Sequence, residues 1–402
     1  MKKYGLALAG GGAKGAYQFG VWTALRELGI ELEGVVGTSI GALNGAAIVQ
    51  DDYDALYELW HNLKASYVLN ISDEIYNKIR KVDFESVSFA ELFEEVKKTI
   101  DLDGLDISPL KDLIHSILNE KKIRDSGLDF GLVTVSITDL EALELFIEDI
   151  PEKQLKDYLL ATAYLPFFKR EKLHGKYYLD GMYYNNLPTN MLVDKGYTDI
   201  IEVHLKTKKE ERPDYGEGIN IIEIRPSQPL GRALDFDQLN SRKNIDLGYY
   251  DTMRAFKELA GDYYYFEMTA EAHFFMEKFF QLKEDDIDKL YELLGLWSPP
   301  QPRGVFEEII PELIRGLDMD RNTTYLEFII AAYEHLGKTY GLTRFKLYDF
   351  KKFSAEIYKR AKNSHFDREK EFGLNMIKNF FSKEQKITMA LEYLVVKIGR
   401  VE

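Results

Sequence analysis

The hydrophobic pattern of this chain switches repeatedly between short apolar runs and helical periodicity. Lys3 to Ala9 is a near-continuous apolar run, and Gly34 to Thr38 is a short β-branched one. Each predicts a buried strand, and each passes directly into a helical pattern: residues 16–28 after the first, and a small-residue helix from Ile40 after the second. Amphipathic helices are predicted at Tyr53 to Leu63, Phe89 to Ile100 and Pro109 to Leu118. Strands are predicted at Phe130 to Thr138 and Ala142 to Ile147, then a helix at Glu152 to Thr162 and a short strand at Lys176 to Leu179. After a helix ending near Lys195, buried strands at Asp199 to Leu205 and Asn220 to Ile224 flank a polar loop, Lys206 to Gly218. A long helix, Asp237 to Leu259, and one more strand, Tyr263 to Met268, complete this part. From Glu271 onward the pattern is helical and aromatic, broken most clearly at residues 298–304. Alternating strands and helices argue for an α/β domain over residues 1–262, followed by a mainly helical accessory domain over 263–402.

The candidate chemistry sits at the first two strand-to-helix junctions. Gly37-Thr38-Ser39-Ile40-Gly41 is a G-x-S-x-G pattern in the strand–turn–helix context its mechanism needs. Gly37 and Gly41 let strand and helix pass closely, and Ser39 falls at the helix N-terminus, where free N–H groups favour developing negative charge. Ser39 is therefore the candidate nucleophile, weighed against a loop that merely caps a helix. The first junction is Gly10-Gly11-Gly12-Ala13-Lys14-Gly15. Three glycines let backbone N–H groups converge on an oxyanion or a phosphate. If the two strands are neighbours, one loop holds the nucleophile and the other the oxyanion hole, formed by Gly10, Gly11 and Gly12 together with the N–H of Ile40.

A third feature is Asp180-Gly181, at the end of the short strand. Alone it suggests an Asp-Gly turn. The three segments taken in order, preceded by Ala161-Thr162-Ala163-Tyr164-Leu165-Pro166, resemble the signatures of patatin-like phospholipases of the bacterial type over roughly residues 1–260. The resemblance implies a three-layer α/β sandwich with a mostly parallel central sheet. It also implies a Ser39–Asp180 dyad without histidine, and Lys14 and Gly15 as support for the glycine loop. In that family the residue after Asp-Gly is often Gly or Ala, whereas Met182 stands here and bears on substrate size. The stretch 64–125 would lie over the site as a cap, and Tyr164 to Phe168 would join an acyl groove; plain surface helices and ordinary core are the competing readings.

Composition narrows the alternatives. A net charge of −15 argues against broad nucleic-acid binding and against whole-surface attraction to anionic lipid. The absence of cysteine removes disulfides, thiolate metal sites and a Cys nucleophile, and fits a reducing, cytoplasmic compartment. Met1-Lys2-Lys3 before an apolar run has the outline of a signal peptide, but Gly10 to Gly12 interrupt it, and cleavage there would destroy the loop. No apolar run is long enough for a membrane span. Residues 341–402 carry 14 Lys plus Arg and 8 Asp plus Glu, a net of +6 against −21 for everything before, read here as a solvated helical face.

The expected activity is hydrolysis of lipid carboxylic esters, of phospholipase A or lysophospholipase type, through an acyl-enzyme on Ser39 with Asp180 as base. No cofactor or metal is expected. The expected partners are a lipid or fatty-ester substrate and, transiently, a membrane surface. Among the histidines, His204 is the best alternative base, because it lies downstream of Asp180 at a strand end. A rival class is a dinucleotide-binding domain, since Gly10-x-Gly12-x-x-Gly15 matches G-x-G-x-x-G; the second strand, however, ends in Gly37-Thr38-Ser39 without the acidic residue that fingerprint needs. Another is a patatin-like scaffold that binds lipid or is held inactive by its C-terminal helices.

Overall fold

A computed structural model describes residues 3–81, 104–209, 213–268, 272–296, 303–371 and 381–399. The expected helix at Phe89 to Ile100 and most of the break at 298–304 lie outside them. By its contacts the chain divides into two compact units, Met1–Ala255 and Phe256–Glu402, a few residues before the boundary expected at 262.

The first unit is built on a seven-stranded sheet of order β4-β3-β2-β1-β6-β7, with β5 paired to β3. The strands are β1 (Lys3–Leu8), β2 (Glu31–Thr38), β3 (Asp129–Ser136), β4 (Glu141–Phe146), β5 (Tyr178–Asp180), β6 (Asp199–Val203) and β7 (Asn220–Ile224). Pairings β1–β2, β2–β3, β1–β6 and β6–β7 are parallel; β4 and β5 run antiparallel to β3. The apolar character of β1 and β2 follows from burial on both faces.

Helices cover both faces. The helices α1 (Ala16–Glu27) and α2 (Ile40–Val49) follow the first two strands, and α2 packs on β2, β3 and β1. On the other face Met191 and Leu192, from the helix Thr189–Asp194, pack with Ala7, Val36, Val133 and Ile200. Alternate residues of each strand thus feed two separate apolar layers, as period-two geometry requires. The α/β architecture with a mostly parallel sheet is the one expected. The largest differences in element boundaries are of three residues: β2 starts earlier than expected, at Glu31, and the helix expected from Glu152 starts at Leu155.

The arrangement that positions the site is the edge of β3. Gly34 to Thr38 of β2 run parallel along Asp129 to Val133. Where β2 stops, β5 takes over the same edge, with Asp180 opposite Thr134 and Tyr178 opposite Ser136. The carboxyl ends of β2 and β5 therefore meet end to end, on one strand that splints both.

The second unit contains a two-stranded parallel ribbon, Tyr265–Glu267 with Leu347–Asp349, and helices including Glu284–Leu294, Tyr325–Thr339 and Lys383–Ile398. Its core is aromatic, with Tyr264, Phe266, Phe350 and Phe353 in mutual edge and tilted contacts. Among the described residues no helix is long and apolar enough to cross a membrane.

Candidate active site

Ser39 caps α2 with φ 55° and ψ −125°, a conformation that an L-residue rarely adopts. Its neighbours hold it there. The Ser39 N–H donates to Thr162 Oγ1 at 2.9 Å, and the same hydroxyl donates to the Val133 carbonyl. Thr38 Oγ1 donates to the Asn185 carbonyl at 2.7 Å. Gly41 is required by close approach: a Cβ there would lie 2.3 Å from the Leu8 carbonyl oxygen, and one on Gly37 would strike the Gly41 backbone.

Ser39 Oγ donates to Asp180 Oδ2 at 2.6 Å. Asp180 Oδ1 accepts the Met182 N–H at 2.8 Å, and the Asp180 N–H donates to the Tyr164 carbonyl at 2.8 Å. Asp180 is fully buried, and burial pushes its carboxyl up to about 7, against the opposing pull of the bonds from Ser39 and Met182. Gly181 packs its Cα against the Val133 carbonyl, so this corner of the turn has no room for a side chain.

The glycine loop lies over Ser39: a methyl group on Gly10 would stand 3.2 Å from the Ser39 Cβ. Its N–H groups are not equivalent. Gly10 N–H donates to the Asn186 carbonyl at 3.1 Å and so is already committed, which removes it from the expected set of free donors. Among the described residues the N–H groups of Gly11, Gly12 and Ile40 have no protein acceptor. Gly12 has φ 55°, and a Cβ there would meet the Ala233 carbonyl oxygen at 2.2 Å. Lys14 is buried within the turn that closes the loop, its N–H donating to the Gly11 carbonyl. Gly15 contributes its carbonyl, which accepts Asn44 Nδ2 at 3.0 Å.

Sequence reasoning missed the buried polar network behind this loop. Asn44 Nδ2 also donates to Gln18 Oε1, Gln18 Nε2 to the Ala9 carbonyl, and Trp60 Nε1 to Asn44 Oδ1. Fully paired networks of this kind rigidify what they touch. The available signal was Gln18 and Asn44 sitting on otherwise apolar helix faces. His204 pairs with Glu202, Nε2 to Oε2 at 3.3 Å, and among the described residues no histidine bonds Ser39 or Asp180. Among the described residues no group of three or more His, Asp or Glu could hold a metal ion.

Two cavities of opposite character meet at Ser39. One, of about 910 Å³, is lined by Gly10 to Gly12, Ser39, Asp180, Met182 and polar residues including Glu144, Asn185 and His204. The other, of about 100 Å³, is an apolar slot lined by Ile40, Leu43, Leu59, Trp60, Leu113 and Ile117, among others. Ser39, Gly12, Leu165 and Leu234 border both. Leu110, Leu113, Ile114, Ile117, Leu118 and Phe168 face the slot, so parts of the two stretches expected to form a cap and an acyl groove do lie against it.

The family model described as Patatin-like phospholipase matches residues 6–193. This region belongs to the patatin-like phospholipase family. Patatin-like phospholipase domain-containing protein 7 of Rattus norvegicus is 26% identical over 226 residues, covering 54% of this chain and 14% of that protein. Lysophospholipase NTE1 of Saccharomyces cerevisiae is 25% identical over 217 residues, covering 54% of this chain and 12% of that protein. The chain therefore spans only a small part of the length of these relatives. Among solved structures, VipD from Legionella pneumophila aligns over 98% of this chain and 90% of its own, with 14% identity and a TM-score of 0.41. Ser39 and Asp180 both fall inside the matched patatin-like region, and the second unit falls outside it.

The bonds around Thr162 make a test of the patatin-like turn. Thr162→Val keeps the shape but leaves the buried Ser39 N–H without an acceptor, which costs about 1–3 kcal/mol. Denaturant unfolding should register that loss, and kcat on a chromogenic ester should fall more than KM changes.

Proposed function

We propose that this chain is a serine acyl hydrolase that cleaves lipid carboxylic esters through Ser39 and Asp180. The observation that carries the proposal is the 2.6 Å bond from Ser39 Oγ to a buried aspartate, at the point where an apolar slot meets a polar cavity. The slot suits an acyl chain and the cavity suits the leaving group, so the ester carbonyl comes to Ser39.

Ser39 Oγ attacks the acyl carbonyl carbon as its proton passes to Asp180 Oδ2. The tetrahedral oxyanion faces the N–H groups of Gly11, Gly12 and Ile40. Loss of one such donor typically costs about 10²–10³-fold in kcat. Collapse breaks the ester C–O bond, and the departing alkoxide takes the proton from Asp180. Water then adds to the acyl-enzyme with Asp180 again accepting the proton, and the acid leaves with Ser39 restored. An aspartate whose carboxyl is pushed up to about 7 is a far better base than one in water, which suits the role without a histidine. The patatin-like match over residues 6–193 and the similarity to a yeast lysophospholipase support a lipid ester as substrate.

The test is covalent labelling together with turnover. A fluorophosphonate should add one phosphonyl group to Ser39, located by peptide mass, and should stop hydrolysis of short and long p-nitrophenyl esters. A protein that neither labels nor hydrolyses either ester would favour the lipid-binding scaffold instead.

A further inference from the structure

Asp180 apart, the polar cavity beside Ser39 contains one carboxylate whose surroundings differ from the rest. Glu223 faces Arg225 at 3.5 Å, and Glu202 faces His204 at 3.3 Å. On the opposite wing Glu144 is held only by neutral amides. Its Oε1 accepts Asn185 Nδ2 at 2.8 Å and its Oε2 accepts Asn190 Nδ2 at 2.9 Å. Among the described residues no Lys, Arg or His pairs with it. Two amide donors orient a negative charge towards a cavity without neutralising it. Aromatic groups line the same cavity. Tyr183 and Tyr184 follow Asp180 into the cavity lining, and Tyr184 is 59% exposed. Tyr184 immediately precedes Asn185, the amide bonded to Glu144, and an uncompensated carboxylate in a cavity that an exposed aromatic side chain also lines is the chemistry that binds an ammonium ion.

Position agrees with that chemistry. Thr38 is paired to Val133, and Val133 to Glu144. Strands stand about 4.8 Å apart, so Glu144 lies roughly 10 Å from the strand end that carries Ser39. A glycerol phosphate linker between an ester carbonyl and a terminal ammonium spans a distance of that order. On the other wing Arg225 is occupied by the carbonyls of Lys206 and Lys208 as well as by Glu223, so its charge is already engaged.

We infer that Glu144, oriented by Asn185 and Asn190 in a cavity that Tyr184 also lines, selects substrates whose leaving group carries an ammonium. This rests on the hydrolase reading above. In it Glu144 is a specificity-determining residue and takes no part in bond breaking.

The experiment compares kcat/KM for lysophospholipids with ethanolamine, choline or no headgroup beyond the phosphate, and for a monoacylglycerol of the same acyl chain. A p-nitrophenyl ester serves as the control for turnover. The wild type should prefer the two ammonium-bearing lipids over the monoacylglycerol. Glu144→Gln should reduce that preference ratio about threefold to fivefold, the upper range for one partly exposed charge contact. Tyr184→Ala, at an exposed side chain, should reduce it further for choline than for ethanolamine. A ratio unchanged in Glu144→Gln, or a wild-type preference for the bare phosphate or the monoacylglycerol, overturns the inference while leaving the hydrolase reading intact. A wild type inert on every ester, the p-nitrophenyl ester included, overturns both.

Discussion

Ser39→Ala is expected to remove ester turnover, lowering kcat on the order of 10⁴-fold or more. The reason is chemical. The oxygen that would attack the carbonyl is gone, whereas the glycine loop, the slot and the cavity are untouched. Alanine also keeps the backbone where it is, because the Ser39 N–H to Thr162 bond and the packing of Gly41 against Leu8 do not involve the hydroxyl. Circular dichroism should therefore be unchanged, and a non-hydrolysable fatty ether should still bind. A small residual rate above buffer is expected, because Gly11, Gly12 and Ile40 still offer N–H groups to an oxyanion formed by water attack. Retention of more than a few per cent of the wild-type kcat would mean that Ser39 is not the attacking group.

Asp180→Asn is expected to separate activity from stability. Asparagine fits the same space but cannot accept the Ser39 proton, so kcat should fall roughly 10⁴-fold. Stability should move the other way as pH rises. In the folded protein burial pushes the Asp180 carboxyl up from 3.8 to about 7, so the folded state holds this proton where the unfolded chain has lost it. The contribution of Asp180 to wild-type stability therefore declines between about pH 4 and pH 7 at about 1.4 kcal/mol per unit, and is level outside that window. Over the whole window the loss is roughly 4 kcal/mol for a shift from 3.8 to about 7. The asparagine variant lacks this slope. Melting temperatures measured from pH 4 to pH 8 should diverge, with the variant increasingly the more stable. In the same range the wild-type kcat should rise through about pH 7, because only the ionised carboxylate accepts the proton. Parallel melting curves and a flat rate profile would place the ionisation of Asp180 elsewhere and remove it as the base.

These residues were legible in the sequence for a physical reason. An elbow at Gly37 to Gly41, a loop at Gly10 to Gly12 and an Asp-Gly strand end all need glycine where backbones crowd, and glycine is conspicuous. The structure brings the three together, with Ser39 and Asp180 in direct contact across 141 residues of chain. What was not legible was the accounting of individual hydrogen bonds. Gly10 looks equivalent to Gly11 and Gly12 as a letter, yet its N–H is taken by Asn186, a residue far away in sequence. Thr162 was visible only as one member of a small-residue segment, and nothing local announces that its hydroxyl anchors the Ser39 backbone. Glu144 was hidden in an ordinary alternating strand, because its meaning comes from Asn185 and Asn190, 41 and 46 residues further along the chain. The second unit was read as helical and aromatic, and its aromatic core agrees, but the parallel pairing of Tyr265–Glu267 with Leu347–Asp349 joins segments too distant for any local pattern to predict.

The end-to-end meeting of β2 and β5 on β3 also bears on how such a protein can change. The spacing between Ser39 and Asp180 is set by two registers on a single strand, with Thr38 opposite Val133 and Asp180 opposite Thr134. Residues 50–128, which lie between α2 and β3, contribute to neither register. Yet this excursion supplies Leu56, Leu59, Trp60, Val68, Leu113 and Ile117 to the wall of the apolar slot. Insertions, deletions and substitutions there can lengthen, shorten or reshape the slot while Ser39 and Asp180 keep their distance. On the hydrolase reading, the fold separates the heritable control of which acyl chain is accepted from the control of the reaction itself, so the first is free to drift while selection holds the second still.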